Sequence, residues 1–222
     1  MIDGASPCDQ VLHVQRTYRL DNGQTWTPRN TNHRRIGEMV SIQWGLQNSD
    51  NWVTAELMSR TSPITFKRLL ESYGLRGPIE ATMAMSLGTP EATVGEMVSG
   101  YTTFVNDGVR VDPVMVTQIE DMHGNIVATF TPKMTEVLTA DAAHKMLYML
   151  QNVINGGTGG RLRSSFGLQM PLGGKTGTTQ NNSDAWFMGF SPDLVAGCWV
   201  GGEERSIRFS SMAFGQGAAA AL

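Results

Sequence analysis

The sequence is short of cysteine, of clustered histidine, of lysine and of long apolar runs. Its two cysteines, Cys8 and Cys198, are too few for a disulfide framework in a chain of this length. Cys198 lies in the apolar run from Val195 to Val200 and is expected to be a small buried hydrophobe. The histidines His13, His33, His123 and His144 are scattered, and no His/Cys grouping has zinc-ligand spacing. No metal and no cofactor is therefore expected. No apolar run approaches the roughly 18 residues that cross a bilayer, and no secretory leader is expected at Met1. With 17 basic against 20 acidic residues the net charge is -3, and no basic run offers a nucleic-acid footprint. The pair Arg34-Arg35 is expected on a solvated surface. Lysine occurs only at positions 67, 133, 145 and 175.

What is present suits a folded chain: 41% hydrophobic and 17% charged residues over 222 positions, enough for one domain and a sizeable core. The first forty residues read as irregular and polar, with a turn or loop at Trp26-Thr27-Pro28-Arg29-Asn30. A helix is expected from about Ile36 through Ser59, interrupted around Asn48-Ser49-Asp50-Asn51, whose side chains compete for backbone hydrogen bonds. Ser62, Pro63 and Gly74 mark the next helix, with Phe66, Leu69, Leu70 and Tyr73 on one face. Thr93 and Glu96 form a capping box ahead of Val94, Met97, Val98, Tyr101, Phe104 and Val105, and Gly108 stops that run. A fourth helix starts near Thr139, places Ala143, Met146, Leu147, Leu150, Val153 and Ile154 on one face, and ends at Gly156. These methionines and aromatics fall on single faces and read as core packing, not a cofactor box. Val114–Glu120 and Ile126–Phe130 flank a turn at His123-Gly124-Asn125, which reads as a hairpin. Three runs, 173–178, 184–190 and 194–201, suggest an antiparallel meander. Helices first and a meander last give an α+β class.

Two short motifs carry chemistry: Ser49-Asp50-Asn51, at an irregular point beside a helix, and Lys175-Thr176-Gly177-Thr178, inside an expected strand. Ser-Asp-Asn alone is usually a loop or cap, and Lys-Thr-Gly alone is often a strand end. In this order they match the S-D-N and K-T-G signatures of serine acyl-transfer enzymes that act on β-lactams. Further segments extend the match. Trp26-Thr27-Pro28-Arg29-Asn30 looks like a W-x-P-x-N segment and Tyr101 to Gly108 like a Y-x-x-F-A-N-x-G helix end. Gly157-Thr158-Gly159 looks like a Gly-Thr-Gly segment ahead of K-T-G, and Asp184-Ala185-Trp186-Phe187 with Gly189-Phe190 like the strand after it. On these residues the chain resembles the transpeptidase domain of the class A, bifunctional penicillin-binding proteins.

That resemblance implies a penicillin-binding/β-lactamase-like fold and a D,D-transpeptidase that cross-links peptidoglycan. A serine attacks a D-Ala-D-Ala bond of one stem peptide, D-Ala leaves, and an amine of a second stem accepts the acyl group. By resemblance, Ser49 relays a proton to the leaving nitrogen, while Asn51 holds a substrate carbonyl and steadies the nucleophile's lysine. Lys175 supplies positive charge and biases Ser49. Thr176 and Thr178 offer hydroxyls to the substrate carboxylate, the Thr178 N–H forms half of an oxyanion hole, and Gly177 lets the strand edge approach the substrate. Stem peptides, β-lactams and the cell-wall synthesis machinery are the implied partners. The implied location is the periplasmic side of a bacterial inner membrane, anchored by a segment outside this chain. Asp50 is expected to be solvated.

The match fails at the nucleophile. S-x-x-K needs Ser three residues before Lys, and those positions hold Ile64, Phe130, Ala142 and Leu172. Thr65-Phe66-Lys67 mimics the tail of such a motif but falls after Ser49 and inside a helix. The family places S-x-x-K shortly before the text that begins at Asp3, and Gly215–Leu222 resembles the lead-in to a helix that does not follow. Residues 1–222 are thus expected to be a partial, inactive transpeptidase domain with an incomplete, aggregation-prone fold. Three rivals remain. A P-loop at Gly174-Lys175-Thr176 would need Gly where Gln169 stands. A β-lactamase or D,D-carboxypeptidase shares the motifs, and a serine-less protein could bind stem peptides or a partner through the same pocket.

Overall fold

A computed structural model describes residues 4–20, 22–179, 182–204 and 206–209; the expected lead-in at 215–222 lies outside the described residues. The first forty residues are not irregular as expected. Strand β1 (Gln10–Leu12) pairs with β4 (Met39–Ser41), and β2 (Tyr18–Arg19) with β3 (Thr25–Trp26), both antiparallel. Val11 and Val40 face each other across the first pair and are 2% and 1% exposed, which is what fixes this register. The helix expected from Ile36 accordingly begins later, because Met39–Ser41 follows the two-residue strand period and not the helical one. Arg35 is exposed, bonds Glu38 and lies over the Trp44 ring at 5.6 Å.

The expected helix is two helices, α1 (Ile42–Gln47) and α2 (Asn51–Met58), broken at the foreseen place. The chain continues through α3 (Pro63–Ser72), α4 (Val94–Val105), β5 (Val109–Val111), β6 (Gln118–Glu120), β7 (Ile126–Thr129), β8 (Met134–Glu136), α5 (Ala140–Gly156) and α6 (Arg161–Ser164). It ends in β9 (Gly173–Thr178), β10 (Asp184–Phe190) and β11 (Val195–Gly201), the expected antiparallel meander in spatial order β11-β10-β9. The hairpin forms from β6 and β7, shorter than expected on its first side. Among the described residues no helix is long and apolar enough to cross a membrane.

Local chemistry explains most helix ends. Pro63 opens α3 as expected, but the Ser62 side chain makes no cap bond. At α4 the capping box is complete: Glu96 N–H donates to Thr93 Oγ1 at 3.2 Å and Thr93 N–H to the Glu96 carboxylate at 2.8 Å. Those bonds hold the Glu96 carboxyl below its ordinary pKa. Thr93→Ala is expected to cost about 1 kcal/mol, read as a lower urea midpoint with an unchanged slope. Gly108 (φ 92°) then turns the chain at a point where any Cβ would strike the Leu138 carbonyl.

The buried side of α4 is not the expected apolar face but Ser99, Gly100 and Thr103, because its small residues brace β5. Ser99 Oγ donates to the Val111 carbonyl at 2.8 Å, and the Val111 N–H donates to Thr102 Oγ1 at 2.9 Å. On α5 the buried set is Ala143, Met149, Leu150, Val153 and Ile154, the expected face rotated to include Met149. Helix α4 packs on β10 and β11, α5 on β9, and α1 on α5, so one face of the meander lies under helices. Cys198 points to the other face and is exposed. Among the described residues the apolar run that suggested burial is an edge strand with one open side.

Candidate active site

Ser49 sits in a Schellman-type turn that ends α1. The Asp50 N–H reaches back to the Gly45 carbonyl at 2.8 Å and the Ser49 N–H to that of Leu46 at 3.1 Å. The turn needs a left-handed residue, usually glycine; here that residue is Ser49, with φ 54°. A serine in this conformation costs about 1 kcal/mol relative to glycine, and the strain presents its exposed hydroxyl where β9 passes. Ser49→Gly is expected to raise stability by about 1 kcal/mol while removing the hydroxyl, a gain that a thermal melt would register.

Asp50 is 0% exposed, which overturns the expectation of a solvated side chain. It caps α2: its Oδ1 accepts the N–H groups of Trp52 and Val53 at 3.0 and 3.1 Å. Its Oδ2 lies 2.8 Å from Asn30 Nδ2 and 2.9 Å from His13 Nε2. The segment Trp26–Asn30 is sewn to the same turn. Trp52 Nε1 donates to the Pro28 carbonyl at 3.1 Å, and Asn51 Nδ2 donates to that of Arg29 at 2.8 Å. The Asn51 amide nitrogen is thus held by backbone.

Among the described residues strand β9 lies at the sheet edge. Lys175 pairs with Met188, which pairs with Gly197, so these three share the face under the helices. There Lys175 Nζ donates to Ser49 Oγ at 2.8 Å and to the Thr176 carbonyl at 2.8 Å. Burial pushes the Lys175 ammonium down from 10.5 to about 8, since desolvation penalises its charged form. At the next position on this face, Gly177, a Cβ would press on Trp186 at 3.1 Å. Thr176 is buried, and its hydroxyl lies 2.6 Å from that of Thr158. The Thr178 side chain is exposed.

Thr158 ties the two motifs together. Its N–H donates to the Gln47 carbonyl at 3.2 Å, at the end of α1. The neighbouring Gly157 passes so close that a Cβ there would strike the same carbonyl. Of the residues expected to form the site, Ser49 and Lys175 touch directly, Asn51 adjoins them on the same turn, and Thr176–Thr178 continue along the edge. His13 and the role of Asn30 were not foreseen. A lone His just past a short strand carries no spacing signal, whereas Asn30 closed a motif whose partners only the fold reveals. Among the described residues no three His, Cys, Asp or Glu side chains gather as metal ligands.

Residues 8–196 match the family model of the penicillin binding protein transpeptidase domain. The chain belongs to that family. It is 31% identical over 186 residues to penicillin-binding protein 1A of Neisseria gonorrhoeae, covering 81% of this chain and 23% of that protein. It is 32% identical over 187 residues to penicillin-binding protein 1A of Aquifex aeolicus, covering 83% and 25%. The chain thus spans about a quarter of the length of these curated relatives. Among solved structures, penicillin-binding protein 1A from Haemophilus influenzae superposes with a TM-score of 0.83 at 22% identity, covering 92% of this chain and 36% of that one. Penicillin-binding protein A from M. tuberculosis, as its imipenem acyl-enzyme complex, gives 0.76 at 19% identity, covering 98% and 53%. The fold is that of the penicillin-binding transpeptidases, in part.

Proposed function

We propose that this chain carries the S-x-N and K-T-G side of a D,D-transpeptidase centre that joins peptidoglycan stem peptides. The contact between Lys175 Nζ and Ser49 Oγ, 2.8 Å across 126 residues of sequence, supports this reading most. Lys175 lends its charge to Ser49 and to the terminal carboxylate of a D-Ala-D-Ala donor. Ser49 passes the proton to the departing D-Ala nitrogen, and Asn51 Oδ1 steadies the nucleophile's lysine. The Thr178 N–H serves the oxyanion, and the edge of β9 takes the donor peptide as an added strand. Thr176 and Thr178 hydroxyls grip the carboxylate, Thr176 after exchanging its bond to Thr158. β-Lactams occupy the same edge, and the bacterial envelope is the place of action.

The attacking serine is not among these 222 residues, because none of the four lysines is preceded by Ser at the required position. The chain alone is therefore proposed to be inactive. The test fuses the S-x-x-K segment of the N. gonorrhoeae relative ahead of residue 3 and adds a fluorescent penicillin. The fusion is expected to label covalently, the fusion with that serine changed to Ala to stay dark, and the chain alone to stay dark. A folded fusion that never labels would favour a serine-less stem-binding protein instead.

A further inference from the structure

We propose that His13 is a positioning residue for the Ser49–Lys175 contact, acting through the buried carboxylate of Asp50. The hydrogen-bond geometry assigns the donors. Asn30 Nδ2 carries two hydrogens, and these go to the Asn32 carbonyl at 2.9 Å and to Asp50 Oδ2 at 2.8 Å. Its third contact, to His13 Nε2 at 3.4 Å, has no hydrogen left. The same orientation of Asn30 leaves its Oδ1 to accept the Asn51 N–H at 3.3 Å. His13 Nε2 therefore donates to Asp50 Oδ2 at 2.9 Å. Asp50 then accepts four hydrogens, two per oxygen, which fills its capacity.

His13 is 0% exposed and its Nδ1 has no partner among the described residues. Its ring is gripped between Trp44 and Trp52, with centroids 5.2 and 5.0 Å away. Trp44 belongs to α1 and Trp52 to α2, the helices on either side of Ser49. The ring thus bridges both helices while its Nε2 holds the residue that follows Ser49. A buried polar group left half-satisfied is a cost that an apolar side chain of similar size would not carry. The hydrogen bond to Asp50 is what a histidine adds at this position. Through it, the residue that directly follows β1 sets the angle of the left-handed turn and so the place of the Ser49 hydroxyl against Lys175.

The inference takes from the proposed function only that Ser49 and Lys175 form the working edge, and its test needs no turnover. The chain is labelled with 13C at lysine Cε, where four lysines give four signals, and Lys175 is followed through pH. In the native chain burial is expected to hold its midpoint at about 8. His13→Leu keeps the packing but loses the donor, so the turn loosens, water reaches Lys175 and its midpoint is expected to climb past about 9 toward the ordinary lysine value. The other three lysines stay put. His13→Gln restores a donor near the Nε2 position and is expected to bring the midpoint back, while His123→Leu, at an exposed site in the turn between β6 and β7, changes nothing. An unmoved Lys175 in folded His13→Leu overturns the proposal. So does a His13→Gln variant that behaves like His13→Leu, since packing and not the hydrogen bond would then set the contact. If His13→Leu does not fold, Asp50→Asn decides. It keeps a cap oxygen for Trp52 and Val53 but presents an N–H where His13 and Asn30 donate. A raised Lys175 midpoint supports the inference and an unchanged one overturns it. Loss of penicillin labelling in the fusion with an intact Lys175 midpoint would count against the function alone.

Discussion

Lys175→Met is expected to make this chain more stable and its site useless. Burial holds the Lys175 ammonium at about 8 against an ordinary 10.5, which corresponds to at most about 3 kcal/mol of native-state cost at neutral pH. Its bonds to Ser49 and to the Thr176 carbonyl return roughly 1 kcal/mol, so methionine in the same space should gain about 1–2 kcal/mol. The sign with pH follows from linkage. Because the folded-state value is the lower one, the unfolded chain binds more protons between about 8 and 10.5. Stability relative to the Met variant therefore rises across that window and is lost again as pH falls through about 8. Paired urea melts at pH 7 and near 10 would show a gap that narrows with pH. A gap that stayed constant would mean that Lys175 is well solvated. In the penicillin-labelling fusion the same substitution is expected to slow acylation about 100-fold or more, the usual loss when a preorganised charge beside the reacting carbonyl is removed.

Asp50→Ala is expected to be the most destabilising single change in the site. It orphans four donors at once: the N–H groups of Trp52 and Val53, Asn30 Nδ2 and His13 Nε2. Removing one partner of a buried charged cluster costs about 3–5 kcal/mol, a large share of the roughly 5–15 kcal/mol that holds a domain together. Asp50→Asn keeps the helix cap and should cost less than half as much. Denaturant midpoints of the two variants would test this order. Equal losses would mean that the bonds to His13 and Asn30, and not the cap, carry the residue.

How much of this was legible before the fold was known differs from element to element. The capping box at Thr93 and Glu96, the helix from Thr139 and the meander were readable because each is a local pattern of caps, periods and turns. Ser49 and Lys175 were readable as motifs, although nothing in the spacing of two tripeptides 126 residues apart says that they touch. The strand at Met39–Ser41 was missed because three residues are too few for a period, and its partner at Gln10–Leu12 is distant in sequence. Asp50 was misjudged for a related reason. An Asp in a polar run reads as solvated unless its donors are known, and those donors come from His13 just after β1, from Asn30 and from the start of α2. Cys198 shows the reverse error, an apolar run whose burial depends on what lies over an edge strand.

The contact between Ser49 and Lys175 also has a consequence in time. Contacts between residues far apart in sequence form late, after most chain entropy has been surrendered. On a ribosome, about 6–25 s separates the synthesis of Ser49 from that of Lys175. Through that interval the turn at Ser49 can already be folded, while its hydroxyl waits without the cation that completes it. The reverse holds on opening, when the meander can peel from the helices and separate the two motifs without disturbing the turn. A ligand that touches both motifs would then act as a latch on the last-formed closure. Its binding would be recorded as slower unfolding, with little change in the rate at which the chain folds.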